Sequence, residues 1–69
     1  MQSERTVSLS KREKEVLKLI AFGCTTVEAA EKLFVSKRTI DYHLYLAYEK
    51  LEVNNRLQAK KRAIRLGLI

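Results

Sequence analysis

The chain has no proline and no tryptophan, only two glycines and a single cysteine. With glycine rare and proline absent, few residues signal hairpin turns, and long helices can form without interruption. One cysteine cannot form a disulfide within the chain, and one cysteine with one histidine cannot assemble a zinc site. The composition therefore predicts an all-α domain with no metal or other cofactor, and the lone thiol fits a reducing, cytoplasmic setting.

Two further kinds of feature are missing. No apolar run approaches the roughly 20 residues needed to cross a bilayer, and no signal peptide opens the chain. There is also no glycine-rich phosphate loop and no cluster of histidines and cysteines, and a chain of 69 residues is too small to enclose a substrate. We therefore expect neither a membrane protein nor an enzyme.

Four helix start signals divide the sequence. Two of them are capping boxes, Ser-Lys-Arg-Glu at 10–13 and Thr-Thr-Val-Glu at 25–28, in which the first side chain accepts a hydrogen bond from the backbone N–H of the glutamate. Apolar residues follow each start signal at helical spacing. With Ser36 and Asn55 as the other two caps, the predicted helices are residues 10–22, 26–34, 37–52 and 56–66.

The short interval between the second and third predicted helices indicates the topology. Only a few residues separate the two helices, which fits a four-helix domain with a central helix-turn-helix. A generic small helical bundle is the alternative. The domain would occupy residues 9–69, and residues 1–8, which show no apolar period, are expected to form a flexible lead-in.

The net charge of +6 is unevenly distributed along the chain. Residues 1–24 carry +2, residues 25–54 carry −1, and residues 55–69 carry +5. A basic domain favours an anionic partner, with nucleic acid the leading candidate. Lys60, Lys61 and Arg62 in the last helix are candidates for contact with DNA phosphates, although a run of charge is often only a solvated face.

Four segments of the sequence, taken in order, resemble one protein family. LSKREKEVLKLIAFG, LFVSKRTIDYH, KLEVNNR and the terminal LGLI are similar to the LuxR/GerE-type DNA-binding domain of bacterial transcription regulators, over Leu9 to Ile69. The resemblance implies that the third helix enters the major groove of double-stranded DNA and that a homodimer forms through the fourth helix. Region 4 of bacterial sigma factors is the nearest alternative, but it usually lacks the KLEVNNR turn and the helix ending in GLI.

The third predicted helix, here called the recognition helix, carries the candidate base-reading residues. The first turns of such a helix contact base edges, and on its outward face these turns hold Asp41, Tyr42 and Tyr45. Asp41 can instead pair with Lys37 one turn earlier, and the tyrosines can instead cover the core. The family often has lysine or arginine at positions 41 and 45, so this chain should read a different site. The residues expected to face inward are Ile40, Leu44, Ala47, Tyr48 and Leu51.

Contacts with DNA phosphates are expected at two helix starts, where backbone N–H groups lack partners within the helix. The candidates are Thr25 and Thr26 at the second helix, and Ser36, Lys37 and Thr39 at the third. Arg38 is a further candidate, unless it braces the first helix through Glu13 or Glu28. The resemblance suggests that His43 packs near the turn or contacts the DNA backbone.

Two functions fit the sequence. The first is sequence-specific binding of double-stranded DNA by a transcription regulator, either free-standing or as the output domain of a longer protein. The second is a protein-interaction module that uses Tyr42, Tyr45 and Leu46, all expected to be exposed, to contact RNA polymerase or another regulator. The scarcity of basic residues in the recognition helix motivates this second hypothesis. Salt-dependent binding to duplex DNA would separate the two.

Overall fold

The computed structural model describes residues 7–69, which form four helices. The helices are α1 (Lys11–Ala21), α2 (Thr26–Leu33), α3 (Lys37–Leu51) and α4 (Arg56–Arg65). The predicted all-α, four-helix fold is confirmed, and each predicted boundary lies within one residue of the observed one. Of the predicted lead-in, residues 1–6 lie outside the described range, whereas Val7 packs against the core.

Each helix begins at the residue predicted to cap it. The side chain of the cap accepts a hydrogen bond from the backbone N–H three residues later, at Ser10, Thr25, Ser36 and Asn55. At Ser10 and Thr25 the glutamate side chain also accepts from the backbone N–H of the cap, in both cases at 2.9 Å. Both predicted capping boxes are therefore confirmed, and they satisfy backbone donors that the helix itself leaves unpaired.

Left-handed residues end the two central helices. Phe34 follows α2 with φ 58° and ψ 43°, and Glu52 follows α3 with φ 58° and ψ 46°. This conformation lets the next backbone N–H reach back into the helix, so that Val35 donates to the carbonyl of Ala30 at 3.0 Å. A residue with a Cβ is strained there by about 1 kcal/mol. Glycine avoids that strain, and Gly23 after α1 and Gly67 after α4 both have positive φ.

α2 and α3 form the predicted helix-turn-helix, joined by residues 34–36 and packed against each other. α3 also packs against α1 and α4. It contributes Ile40 to an apolar cluster shared with α1 and α2, and Ala47 and Leu51 to a second cluster shared with α1 and α4. Burial in both clusters fixes the position and rotation of the recognition helix.

The rotation of α3 is close to the predicted one. Ile40, Ala47 and Leu51 are fully buried, and Leu44 and Tyr48 are partly buried. The expectation that Leu46 is exposed was wrong, because Leu46 lies at the margin of the buried face and is partly covered. Within residues 7–69, no helix is both long and apolar enough to span a bilayer.

Candidate nucleic-acid interface

One line of side chains runs along the exposed face of α3. Lys37, Asp41, Tyr45 and Glu49 are spaced four residues apart, so each lies about 6 Å further along the helix and nearly above the last. We call these four residues the α3 ridge. Tyr42 lies beside the ridge and is 58% exposed, and Tyr45 is 59% exposed. The predicted exposure of all three candidate base readers is confirmed.

The first half of the ridge is an ion pair. The Lys37 ammonium lies 3.0 Å from a carboxylate oxygen of Asp41, as the sequence predicted for the alternative role of Asp41. Both side chains are at least half exposed, so the pair adds little to stability, about 0.3–0.5 kcal/mol. The pair uses one of the three hydrogens that the Lys37 ammonium can donate and leaves the others accessible.

The second half of the ridge is a hydrogen bond that the sequence reading missed. The Tyr45 hydroxyl donates to Oε2 of Glu49 at 3.0 Å. This hydrogen bond and the negative charge of Glu49 raise the pKa of Tyr45, since both favour the protonated phenol. The four-residue spacing of Tyr45 and Glu49 is the sequence signal that could have revealed the pair.

The starts of α2 and α3 differ in their suitability for phosphate. The α2 start already has an anion beside it, because the Glu28 carboxylate accepts from the backbone N–H of Thr25. The first turn of α3 contains no acidic residue, and it carries Lys37. The positive end of a helix dipole attracts anions, so the electrostatics at the α3 start favour an anion more than those at the α2 start.

The hydroxyl groups at these helix starts already take part in capping. Thr25 Oγ1 accepts from the N–H of Glu28 at 3.0 Å, and Ser36 Oγ accepts from the N–H of Thr39 at 3.1 Å. Ser36 and Thr39 also share a side-chain hydrogen bond of 3.0 Å. Thr26, one residue into α2, is partly buried. A phosphate at either helix would therefore meet backbone N–H groups beside hydroxyl groups that are already oriented.

The expectation that Arg38 could brace α1 through Glu13 was wrong. Lys50, three turns further along α3, occupies that position, and its ammonium donates to Glu13 Oε1 at 2.8 Å. Residues near the C-terminal end of α3 meet the start of α1, which places Arg38 far from it. Among residues 7–69 the Arg38 side chain forms no ion pair with Glu28 either, and it is exposed.

His43 lies on the side of α3 that faces α1. It is partly buried, its ring meets that of Tyr42 edge-on at 5.5 Å, and its Nδ1 is buried without a hydrogen-bond partner in the described part of the chain. Its charge helps to lower the pKa of Glu13. His43 therefore packs within the domain, near the start of α1 rather than at the turn between α2 and α3, and contact with the DNA backbone stays a prediction.

The three basic candidates on α4 have different surroundings. The Lys60 ammonium lies over the ring of Phe22, 5.1 Å from its centre, which is a cation–π contact within the domain. Lys61 is exposed. Arg62 is partly buried, and its Nε has no hydrogen-bond partner among residues 7–69. Lys61 is thus the most accessible cation of the three.

Comparison with known proteins identifies the family. Residues 7–63 match the GerE model of bacterial regulatory proteins, luxR family. The chain is 42% identical to the spore germination protein GerE of Bacillus subtilis over 59 residues, and this alignment covers 86% of the chain and 80% of GerE. It is also 42% identical over 67 residues to the transcriptional activator protein AnoR of Acinetobacter nosocomialis, covering 97% of this chain and 28% of AnoR.

Solved structures show the same fold. The response regulator ChrA of a heme-sensing two-component system superposes with a TM-score of 0.85 at 40% identity, over 90% of this chain and 31% of ChrA. A Vibrio cholerae VqmA dimer gives a TM-score of 0.85 at 24% identity, over 99% of this chain and 31% of that chain, a likeness that shows the fold alone. The chain thus spans under a third of AnoR, ChrA and VqmA, but most of GerE.

The fold and the exposed face of α3 define a helix-turn-helix DNA-binding domain, which is a class of regulator rather than of enzyme. The chain belongs to the luxR family of bacterial regulatory proteins and is a GerE/LuxR-type DNA-binding domain. The predicted family is confirmed, in preference to region 4 of the sigma factors.

Proposed function

We propose that the chain binds double-stranded DNA sequence-specifically in the bacterial cytoplasm, with α3 in the major groove, as the DNA-binding part of a transcription regulator. One observation carries the proposal: α3 is buried along one face by both apolar clusters, while its opposite face, from Lys37 to Glu49, is polar and exposed. A helix held in this way fits the major groove, which is about 12 Å wide. The family membership supports the same role.

The base-reading residues in this proposal are Asp41, Tyr42 and Tyr45. They project from the first two turns and the middle of α3, where recognition helices of this class contact base edges. The Tyr42 ring can pack on a thymine methyl group, and the hydroxyl and carboxylate oxygens can form hydrogen bonds with base edges. Their exposure, at 58% for Tyr42 and 59% for Tyr45, supports the assignment.

Contacts with the DNA backbone are assigned first to the start of α3, through Ser36, Lys37, Arg38 and Thr39. The absence of acidic residues from this turn supports that assignment. Thr25 and Thr26 at the start of α2 give a weaker second site because Glu28 lies beside them. Lys61, with Lys60 and Arg62, supplies positive charge from α4, and His43, which is partly buried, remains a candidate.

Dimerisation through α4 is the proposed mode of assembly on DNA. Leu57 and Ile64 lie two turns apart on one side of α4 and are 62% and 51% exposed. Exposed apolar residues on one helix face favour a helix–helix contact. The Lys60 ammonium is directed onto Phe22 of the same domain, which leaves the apolar side chains of α4 accessible.

A protein partner such as RNA polymerase is the second candidate, and one observation favours it. Phe34, in the turn between α2 and α3, is 94% exposed, and exposed aromatic rings are typical of protein contact sites. Phe34→Ala keeps the Cβ, and with it the same left-handed strain, so it should leave DNA affinity unchanged while lowering transcription from a target promoter. Equal losses of affinity and transcription would assign Phe34 to DNA binding instead.

The salt dependence of binding to duplex DNA tests the proposed function. The affinity of the chain for a random duplex is measured between about 50 and 200 mM salt, where a protein that neutralises several phosphates loses affinity by orders of magnitude. We expect a steep, linear decrease of log affinity with log salt. Binding that does not change with salt, or no binding at low salt, would contradict the proposal and favour the protein-interaction function.

A further inference from the structure

The α3 ridge has an unusual hydrogen-bonding character. In the line Asp41, Tyr45 and Glu49, two side chains are carboxylates, whose oxygens accept hydrogen bonds but cannot donate them. The third is a tyrosine, which has one hydroxyl proton to donate. Oε2 of Glu49 accepts the hydrogen bond that this hydroxyl donates, at 3.0 Å, while the proton stays on the phenol. The remaining lone pair of the Tyr45 oxygen can only accept.

Three donor side chains lie around this line, and their positions limit its extent. The Lys37 ammonium and the Arg38 guanidinium lie at its N-terminal end, and Lys37 already gives one hydrogen to Asp41. The Tyr42 hydroxyl lies to one side of the line. The acceptor-only stretch is therefore the middle of α3, centred on Tyr45.

We propose that Glu49 is a specificity-determining positioning residue. Because the Tyr45 hydroxyl donates its hydrogen bond to Glu49, the middle of α3 can only accept hydrogen bonds from DNA, and it selects bases that present an amine to the major groove. Those bases are adenine, through its N6 amine, and cytosine, through its N4 amine. Guanine and thymine present only oxygen or nitrogen acceptors at the corresponding edge. These acceptors would lie against the acceptor oxygens of α3 without a hydrogen bond, which disfavours both bases. The inference rests on the proposed function and goes further by naming the bases that the site prefers.

The carboxylates of the ridge should lower affinity for all DNA while they raise specificity. A carboxylate near DNA phosphates lowers affinity for every sequence, because like charges repel. The same carboxylate raises specificity because guanine and thymine then find no hydrogen-bond donor on this part of α3. The raised pKa of Tyr45 is consistent with this geometry, since the phenol keeps the proton that it donates to Glu49.

The test begins with sites selected from a random duplex library by the wild-type chain. Each base pair of the selected site is then replaced in turn, and dissociation constants are measured for the wild type and for Tyr45→Phe. Tyr45→Phe keeps the ring but removes the hydroxyl, so the position at which it loses discrimination is the one that Tyr45 faces. At that position the wild type should prefer adenine or cytosine by about threefold to tenfold, the range of one hydrogen bond.

Three substitutions then separate positioning from charge. Glu49→Ala frees the Tyr45 proton, so that the hydroxyl can donate as well as accept, and most of the discrimination at this position should be lost. Glu49→Gln removes the charge and keeps an amide oxygen that can accept from Tyr45, but it also adds an N–H donor to the ridge. The preference should therefore fall less than in Glu49→Ala. Glu52→Ala removes one negative charge just beyond α3 without contacting Tyr45, so affinity for all sequences should change alike.

The outcomes distinguish this inference from the proposed function. A loss of discrimination that is larger in Glu49→Ala than in Glu49→Gln, with discrimination retained in Glu52→Ala, supports the inference. Sequence-specific binding with a guanine preference at the Tyr45 position, or with equal effects of Glu49→Ala and Glu52→Ala, overturns the inference and leaves the proposed function standing. A wild-type chain that binds no duplex overturns both.

Discussion

Lys50 and Glu13 join the recognition helix to the start of the first helix. The Lys50 ammonium donates to Glu13 Oε1 at 2.8 Å across a separation of 37 residues, and Glu13 is only 3% exposed. The same glutamate oxygen accepts from the backbone N–H of Ser10 in the capping box. One carboxylate therefore caps α1 and ties the C-terminal half of α3 to it, which helps to hold the recognition helix in place.

Replacing Glu13 should destabilise the domain more than replacing the equivalent glutamate of the other capping box. Glu13→Ala removes the glutamate half of the capping box and leaves Lys50 without its partner, and we expect the free energy of unfolding to fall by about 2–3 kcal/mol. Glu28→Ala is the matched control, because Glu28 caps α2 in the same way but is exposed. We expect a loss of about 0.5–1 kcal/mol there. Equal losses in urea denaturation would show that the Lys50 pair contributes nothing.

The ionisation of Glu13 should make the free energy of unfolding depend on pH in the acidic range. Burial alone would raise the pKa of Glu13, but hydrogen bonds from Lys50 and Ser10 and the charges of Lys50 and His43 outweigh it, so the pKa is lowered. A carboxyl whose pKa is lower in the folded state stabilises the fold above its unfolded pKa, here about 4.5. That contribution is lost as the pH falls through the folded value.

The measurement is the free energy of unfolding at several pH values for the wild type and for Glu13→Gln. The glutamine cannot ionise, so the wild type should lose more stability than the variant as the pH decreases from about 4.5. Parallel curves for the two proteins would contradict the assigned role of Glu13.

Glycine at position 52 should stabilise the domain. Glu52 has a left-handed backbone with φ 58°, which glycine adopts without strain, although glycine also gains freedom in the unfolded chain. We expect Glu52→Gly to raise the free energy of unfolding by about 0.5–1 kcal/mol. Glu52→Ala removes the same carboxylate but keeps the Cβ, and should give little or none of this gain. Equal gains would show that charge rather than backbone strain is responsible.

The dimer proposal predicts that α4 affects cooperativity on DNA. Ile64→Glu places a charge on the proposed contact face, so it should lower the ratio of affinities for a duplex with two half-sites and a duplex with one. Val27→Glu is the control, since Val27 on α2 is equally exposed, at 51%. Val27→Glu can weaken both duplexes through repulsion, but it should leave their ratio unchanged. A ratio altered equally by both variants would argue against dimerisation through α4.

The helix positions could be predicted closely from the sequence because local signals set them. Ser10, Thr25, Ser36 and Asn55 begin helices through hydrogen bonds to residues only three positions away. The apolar spacing on α3 likewise identified Ile40, Ala47 and Leu51 as buried. These features depend on neighbours in the chain, which a sequence displays directly.

Contacts between helices could not be predicted in the same way. Arg38 and Lys50 are both basic residues of α3, and the sequence alone does not show which of them meets Glu13, because that depends on the crossing of α1 and α3. The contact of Lys60 with Phe22 depends on the position of α4 against the end of α1. The Tyr45–Glu49 hydrogen bond has a different origin, since its four-residue spacing is visible in the sequence but a tyrosine hydroxyl can equally donate to water or to DNA.

The central claim, that the exposed face of α3 reads DNA sequence, is tested most directly by comparing Tyr42→Ala, Tyr45→Ala and Lys37→Ala. For each variant, dissociation constants are measured on the selected site and on random duplex DNA. The tyrosine substitutions should reduce the preference for the selected site over random DNA by about tenfold, because they remove contacts to bases. Lys37→Ala should weaken binding to both duplexes alike. Equal losses on both duplexes for the two tyrosine variants would contradict the claim.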